Sequence, residues 1–250
     1  MSVNEKMTAI ADAIRDKTGG TDALTLDGMA ESIPEVYEAG KKAEYDAFWD
    51  EYQQNGNATD YSQMFSGYGW DDISFKPKYD INVRGSCGYA FYRNRITDLK
   101  QVLLNSGVVM DLSKATDLLL CFAASTKLTT LPRIDISGAT GAQQMFASCT
   151  ALASIDELVV RENLSFNKSF SNCITLNHMI VTGTIGQNGL DIHWSTKLDK
   201  ESLLSIINCL KDYSADTSGT TWAVTLGPEN LAKLTDAEKA VATQKGWTLV

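Results

Sequence analysis

Met110-Asp-Leu-Ser-Lys-Ala-Thr116 is followed 24 residues later by Ile134-Asp-Ile-Ser-Gly-Ala-Thr140, with the Asp, Ser, Ala and Thr in the same places. A second signature shares that frame: Cys121-Phe122 with Leu128, Met145-Phe146 with Cys149 and Leu152, and Ser169-Phe170 with Cys173 and Leu176. Weaker copies stand upstream at Met64-Phe65 and at Ala90-Phe91 with Ile96 and Leu99, so the phased phenylalanines step by 26, 31, 24 and 24. A period of this length, with one short strand and one compact return per unit, predicts an α/β fold, a leucine-rich-repeat-like solenoid of short parallel strands. Met110-Asp-Leu112 and Ile134-Asp-Ile136, with the looser Tyr79-Asp-Ile81 and Leu158-Val-Val160, have the period-2 alternation of strands. The segments that carry the phenylalanines, such as 141–149, read as a turn of helix on the opposite wall. No single winding encloses such a ring, and stacked neighbours must supply the missing wall. Each buried ring is expected to contribute about 1.5–3 kcal/mol.

The totals narrow the classes open to the chain. With 250 residues and 44% hydrophobic content there is ample material for a core, so disorder is not expected. A net charge of −9 and a pI near 4.7 leave no basic face for phosphates, which argues against nucleic acid. The first residues lack the apolar core of a secretory signal and no run reaches membrane-spanning length. The expectation is a chain made in the cytoplasm and not inserted in a membrane. Cys87, Cys121, Cys149, Cys173 and Cys209 are odd in number and form no C-x-x-C pair, so they read as reduced core thiols, and no zinc site is expected.

Four regions follow. Residues 1–33 read as a helical headpiece, with Met7, Ile10 and Ile14 on one stripe and Thr18-Gly-Gly20 as its stop. A connecting amphipathic helix over 34–56 starts at Pro34 and ends at Asn55-Gly56. Its small-residue seam of Val36, Gly40, Ala43 and Ala47 suits either self-association into a homo-oligomer or packing on the headpiece. The solenoid occupies 57–196, with Leu103–Val109 as an insertion that accounts for the 31-residue step. An α/β cap over 197–250 begins with a helix carrying Leu203, Leu204, Ile206, Ile207 and Leu210. Trp222–Leu226 and Gly246–Val250 follow as strands, and Thr235-Asp-Ala-Glu238 is a capping box. These strands are expected to extend the solenoid sheet and close its open end.

The phased Phe-x-x-Cys-x-x-Leu units resemble the irregular BspA-like leucine-rich repeats of bacterial surface proteins over about the middle half of the chain. The front end has a second resemblance. Ile10-Ala-Asp-Ala-Ile-Arg-Asp-Lys-Thr-Gly-Gly-Thr-Asp22, Leu26-Asp-Gly-Met29 and Ala43-Glu-Tyr-Asp-Ala-Phe-Trp-Asp50 are similar to segments that head accessory structural proteins of phages and prophages of gut Firmicutes. Trp194-Ser-Thr-Lys-Leu198 and Lys245-Gly-Trp-Thr-Leu249 fit the same group. The resemblance implies a tail or appendage component of the virion, assembled in the bacterial cytoplasm. It would be mounted on other virion proteins through its amino-terminal helices and display the repeat body to a host-surface protein or glycan. A bacterial adhesin or protein-binding module is the alternative, and a glycan hydrolase the third reading.

Catalytic and cofactor-binding signatures are hard to find. His178 and His193, the two histidines, adjoin no recognisable Ser or Cys nucleophile setting and read as structural or solvated. Gly183-Thr-Ile-Gly186 lacks the lysine of a phosphate loop, and no cofactor is expected. Two binding candidates remain. Asp80, Asp111 and Asp135 are expected at equivalent outward positions on successive strands, about 5 Å apart. Stacked like charges call for neutralisation by calcium or by sugar hydroxyls, unless each carboxylate accepts N–H bonds from its own turn. Tyr89, Tyr92, Arg93 and Arg95 join aromatic and cationic groups as binding hot spots do, or lie solvated on a convex face.

Overall fold

The structure, a computed structural model, describes residues 61–67, 70–73 and 75–250. The chain divides into two units, Met1–Gly56 and Asn57–Val250. The expected headpiece (1–33) and connecting helix (34–56) lie outside the described residues.

The second unit contains β1 (Ile81–Asn82), α1 (Leu99–Ser106), β2 (Met110–Asp111), β3 (Thr130–Asp135), β4 (Ser154–Val160) and β5 (His178–Gly183). Then come α2 (Lys200–Cys209), β6 (Trp222–Val224), α3 (Pro228–Leu231), α4 (Asp236–Gln244) and β7 (Trp247–Leu249). The leucine-rich-repeat-like solenoid expected from the sequence is not what these elements build. Its defining feature is one sheet running the length of the body, whereas the strands of the described residues fall into three separate parallel sheets, β1-β2, β3-β4-β5 and β6-β7. Nor, among the described residues, are the segments that carry the phased phenylalanines helical. The β6-β7 sheet does not extend β3-β4-β5 either, which corrects the expected role of the cap.

What repeats with the 24-residue period is a stack of turns. In 141–149 alternate amides point in two directions. Met145, Ala147 and Cys149 close i to i−3 bonds on Ala142, Gln144 and Phe146, while Gln144, Phe146 and Ser148 donate to the carbonyls of Asn167, Ser169 and Ser171. Gln144 and Ser148 have left-handed backbones (φ 54° and 59°), as do Tyr89 and Arg93, Leu120 and Ala124, and Lys168 and Asn172 in the corresponding places. Two left-handed residues per unit rule out a helix, in which every amide would serve its own segment. They also leave Phe91, Phe122, Phe146 and Phe170 pointing inward.

Those rings form a column. Phe91–Phe122, Phe122–Phe146 and Phe146–Phe170 have centroids 5.0, 5.7 and 5.3 Å apart with interplanar angles of 11°, 10° and 27°. Phe65 continues it at 5.0 Å from Phe91, and Trp70 and Phe75 pack edge-on against Phe65. All five phased rings are buried. The residue three places after each Phe completes the unit. Asn94 Nδ2, Ser125 Oγ, Cys149 Sγ and Cys173 Sγ donate to the carbonyls of Phe65, Phe91, Phe122 and Phe146. The cysteines are therefore hydrogen-bond donors as well as packing groups. Burial pushes both thiols up, Cys173 to about 12, so they stay protonated at neutral pH.

The remaining elements follow from local signals. The expected insertion Leu103–Val109 is the second half of α1 and its exit through left-handed Gly107 (φ 64°). Gly138 replaces the Lys114 of the preceding copy because a Cβ there would lie 2.2 Å from the Ser113 carbonyl oxygen. Helix α2, capped by Asp199, stands where the next strand of the three-stranded sheet would lie. The Met179 and Val181 amides of β5 donate to Ser202 Oγ and Ser205 Oγ of α2, so a helix covers the strand edge with its hydroxyls. Lys245 Nζ donates to the Ile207 and Asn208 carbonyls at the end of α2. The Thr235–Glu238 capping box is formed at the start of α4.

Candidate binding surface

Strand register decides the first candidate. Asp111 pairs with Asn82, not with Asp80, because Ile81 stands opposite Met110. Asp135 closes β3 beside Val159 of β4 in a different sheet from Asp111. Asp80, Asp111 and Asp135 therefore form no continuous row along one sheet. Asp111 and Asp135 are used within their own turns, Asp111 accepting the Ser113 amide and Asp135 both the amide and the hydroxyl of Ser137, whereas Asp80 accepts the Val109 amide 29 residues on. Asp135 also meets Arg133, which bridges to Glu157 on β4 at 2.9 Å. Hydrogen bonds from Ser113 hold the Asp111 carboxyl below its ordinary range. Among the described residues, no group of three or more His, Cys, Asp or Glu side chains is placed to hold a metal ion. The turn-acceptor reading is met at Asp111 and Asp135, while Asp80 bonds across to the segment that precedes β2. The same Asp-to-amide turn recurs at Asp117, Asp191, Asp212 and Asp216.

The second candidate is assembled in large part. Tyr89 and Tyr92 meet edge to face at 5.4 Å, and the Arg93 guanidinium lies 5.7 Å from the centre of the Tyr92 ring. Tyr89 and Arg93 are the two left-handed residues of their turn unit (φ 58° and 55°), which turns both side chains away from the phenylalanine column. Their amides are fixed to the Leu119 and Ala123 carbonyls. Arg95 is exposed, and its amide donates to the Trp70 carbonyl at 3.0 Å.

Both histidines pair with aspartates. His178 Nδ1 is 2.7 Å from Asp199 Oδ2, and His193 Nδ1 is 2.6 Å from Asp191 Oδ1. Burial alone would raise Asp199, but the Ser202 and His178 hydrogen bonds outweigh it and hold the carboxyl low. The arrangement supplies two oriented imidazoles. Among the described residues no Ser, Thr or Cys side chain is hydrogen-bonded to either ring. The His193 ring also packs on Trp194, with centroids 4.8 Å apart. Trp194 is 47% exposed. Sequence reasoning passed over this cluster because a histidine two residues after an aspartate looks like any solvated loop. The Asp-x-His spacing, equivalent to the Asp-x-Ser turns at 111 and 135, was the available signal. Comparison with family models, with curated proteins and with solved structures finds no match.

Proposed function

We propose that this chain is a non-enzymatic structural and binding component of a phage virion appendage, and that it presents the Tyr89–Tyr92–Arg93 face to a host-surface protein or glycan. The observation that carries the binding part is the placement of that cluster. Two aromatic rings and a guanidinium stand on a backbone pinned to the next winding, so little side-chain and loop ordering remains to be done on binding. The virion part rests on the similarity of the amino-terminal segments to phage accessory structural proteins. A net charge of −9 fits a partner other than nucleic acid.

The test has two arms. Quantitative mass spectrometry of phage particles purified from the producing strain is expected to find the chain in fixed stoichiometry with other virion proteins. Its absence from particles, with the chain recovered on the bacterial surface, would instead establish the adhesin alternative. Purified chain is expected to bind host cells, and a Tyr92→Ala/Arg93→Ala double variant to bind at least about 10-fold more weakly, a loss typical of a hot spot. Equal binding by parent and variant would remove this face from the proposal.

A further inference from the structure

We infer that Trp194, His193 and Asp191 form a subsite for a neutral pyranose ring, at a place distinct from the Tyr89–Tyr92–Arg93 face. The inference takes only its setting, a glycan-bearing surface, from the function proposed above. Three features carry it. First, the indole of Trp194 is about half open to solvent yet held on one side by the His193 ring. Second, the imidazole is oriented: Asp191 Oδ1 receives both the His193 amide, at 3.1 Å, and ring Nδ1, at 2.6 Å. With Oδ1 so used, Asp191 Oδ2 and His193 Nε2 are left without a protein partner among the described residues, in a pair whose imidazole packs on the exposed indole. Third, the backbone behind is rigid. Asp191 bridges in parallel to Thr225, and Gly227 (φ 84°) packs so closely that a Cβ on it would lie 3.0 Å from His193 Cβ.

A pyranose is amphipathic in the way this arrangement requires. Its axial C–H face covers an aromatic ring, while its equatorial hydroxyls project sideways to a donor or acceptor at the ring's edge. His193 Nε2 and Asp191 Oδ2 are such groups. The free carboxylate oxygen and the net charge of −9 select against acidic sugars, which is why the ligand is neutral. One stacked ring with two polar contacts predicts a dissociation constant on the order of millimolar.

Saturation-transfer NMR on the full chain tests this with methyl α-D-glucopyranoside, methyl β-D-galactopyranoside and di-N-acetylchitobiose, each at about 10 mM to exceed that constant. Transfer to the ring protons of at least one probe is expected. It should be lost in Trp194→Ala and weakened in His193→Phe, which keeps the ring but not its nitrogens. Thermal melts of the variants check that each is folded. No transfer to any probe, or transfer that survives Trp194→Ala, overturns the inference while leaving the virion assignment to its own mass-spectrometric test. A change of particle mass in Trp194→Ala by light scattering would also overturn it, since the indole would then be a contact between copies.

Discussion

Phe146 is the ring on which the stacked units most depend, and its truncation should cost more than that of any phenylalanine at the edge of the column. The side chain is wholly buried and lies between Phe122 at 5.7 Å and Phe170 at 5.3 Å. Phe→Ala in a core costs about 3–5 kcal/mol, the larger values arising where the site cannot collapse. Collapse is blocked here. The Phe122 amide is bonded to the Met145 carbonyl at 2.8 Å and the Phe146 amide to the Ser169 carbonyl at 3.0 Å, so the backbones on both sides keep their spacing. Two near-parallel ring contacts are lost as well, each worth about 0.5–1.5 kcal/mol beyond its area. A loss of about 4–5 kcal/mol is therefore expected for Phe146→Ala. Phe166, which meets only Phe170 at 6.4 Å, should lose about 3 kcal/mol. Urea denaturation followed by circular dichroism measures both. If Phe146→Ala leaves too little folded protein, Phe146→Leu, with an expected loss of about 1–2 kcal/mol, reports the same site. A Phe146→Ala variant within about 1 kcal/mol of the parent would refute the view that the column holds the windings together.

Further outcomes follow from single hydrogen bonds and charges. Ser202→Ala strips the Met179 amide of its partner at a buried position and should cost about 1–3 kcal/mol, read from the same urea midpoints; Ser202→Thr should recover part of it. Cys149→Ser should be tolerated, since Ser125 performs the same contact one unit earlier, whereas Cys149→Val loses the donor to the Phe122 carbonyl and should melt lower. The folded-state values of Asp111 and Asp199 lie below the ordinary 3.8. Depressed carboxyls stabilise the fold fully above the unfolded value and lose that contribution as pH falls through the folded one. The melting temperature should accordingly drop as pH is lowered below about 4, less steeply in Asp199→Asn than in the parent.

Part of this was legible in sequence and part was not, for reasons that attach to particular residues. The spacing of Phe91, Phe122, Phe146 and Phe170 reports a burial pattern, and burial is what periodicity encodes, so the column could be read directly. Left-handed backbones at Leu120, Gln144 and Lys168 could not, because no glycine or asparagine marks them and their geometry is imposed by hydrogen bonds from a neighbouring winding. Register was lost for a similar reason: placing Asp80 level with Asp111 moves the pairing by two residues, which preserves every inward and outward assignment and so leaves no trace in the hydrophobic pattern. The α2 helix replaced an expected sheet extension. Its apolar face was plain in the sequence, but Ser202 and Ser205 as partners of the β5 amides had no local signal. At the candidate surfaces, the Tyr89–Tyr92–Arg93 contact was suggested by composition alone. The His193–Asp191–Trp194 cluster required the turn geometry to be known.

The balance of local terms in the turn stack explains why the phenylalanines matter as they do. A unit such as 118–125 has two left-handed residues, Leu120 and Ala124, each costing about 1–2 kcal/mol. Against this, Leu118, Leu120, Phe122 and Ala124 each donate to the next winding, and a net hydrogen bond contributes about 0.5–1.5 kcal/mol. The two sums nearly cancel, so the backbone ladder by itself gives the stack little reason to form, and a lone unit has no ladder at all. The deciding term is the ring that each unit contributes and cannot bury alone. This also accounts for where the chain tolerates variety. Outward left-handed places hold Tyr, Arg, Leu, Ala, Gln, Ser, Lys and Asn with no common chemistry, while the inward place holds Phe in every unit. Outward places that vary in chemistry, fixed to a core that does not, are the physical basis on which a face such as Tyr89–Tyr92–Arg93 can be specialised while the fold is kept.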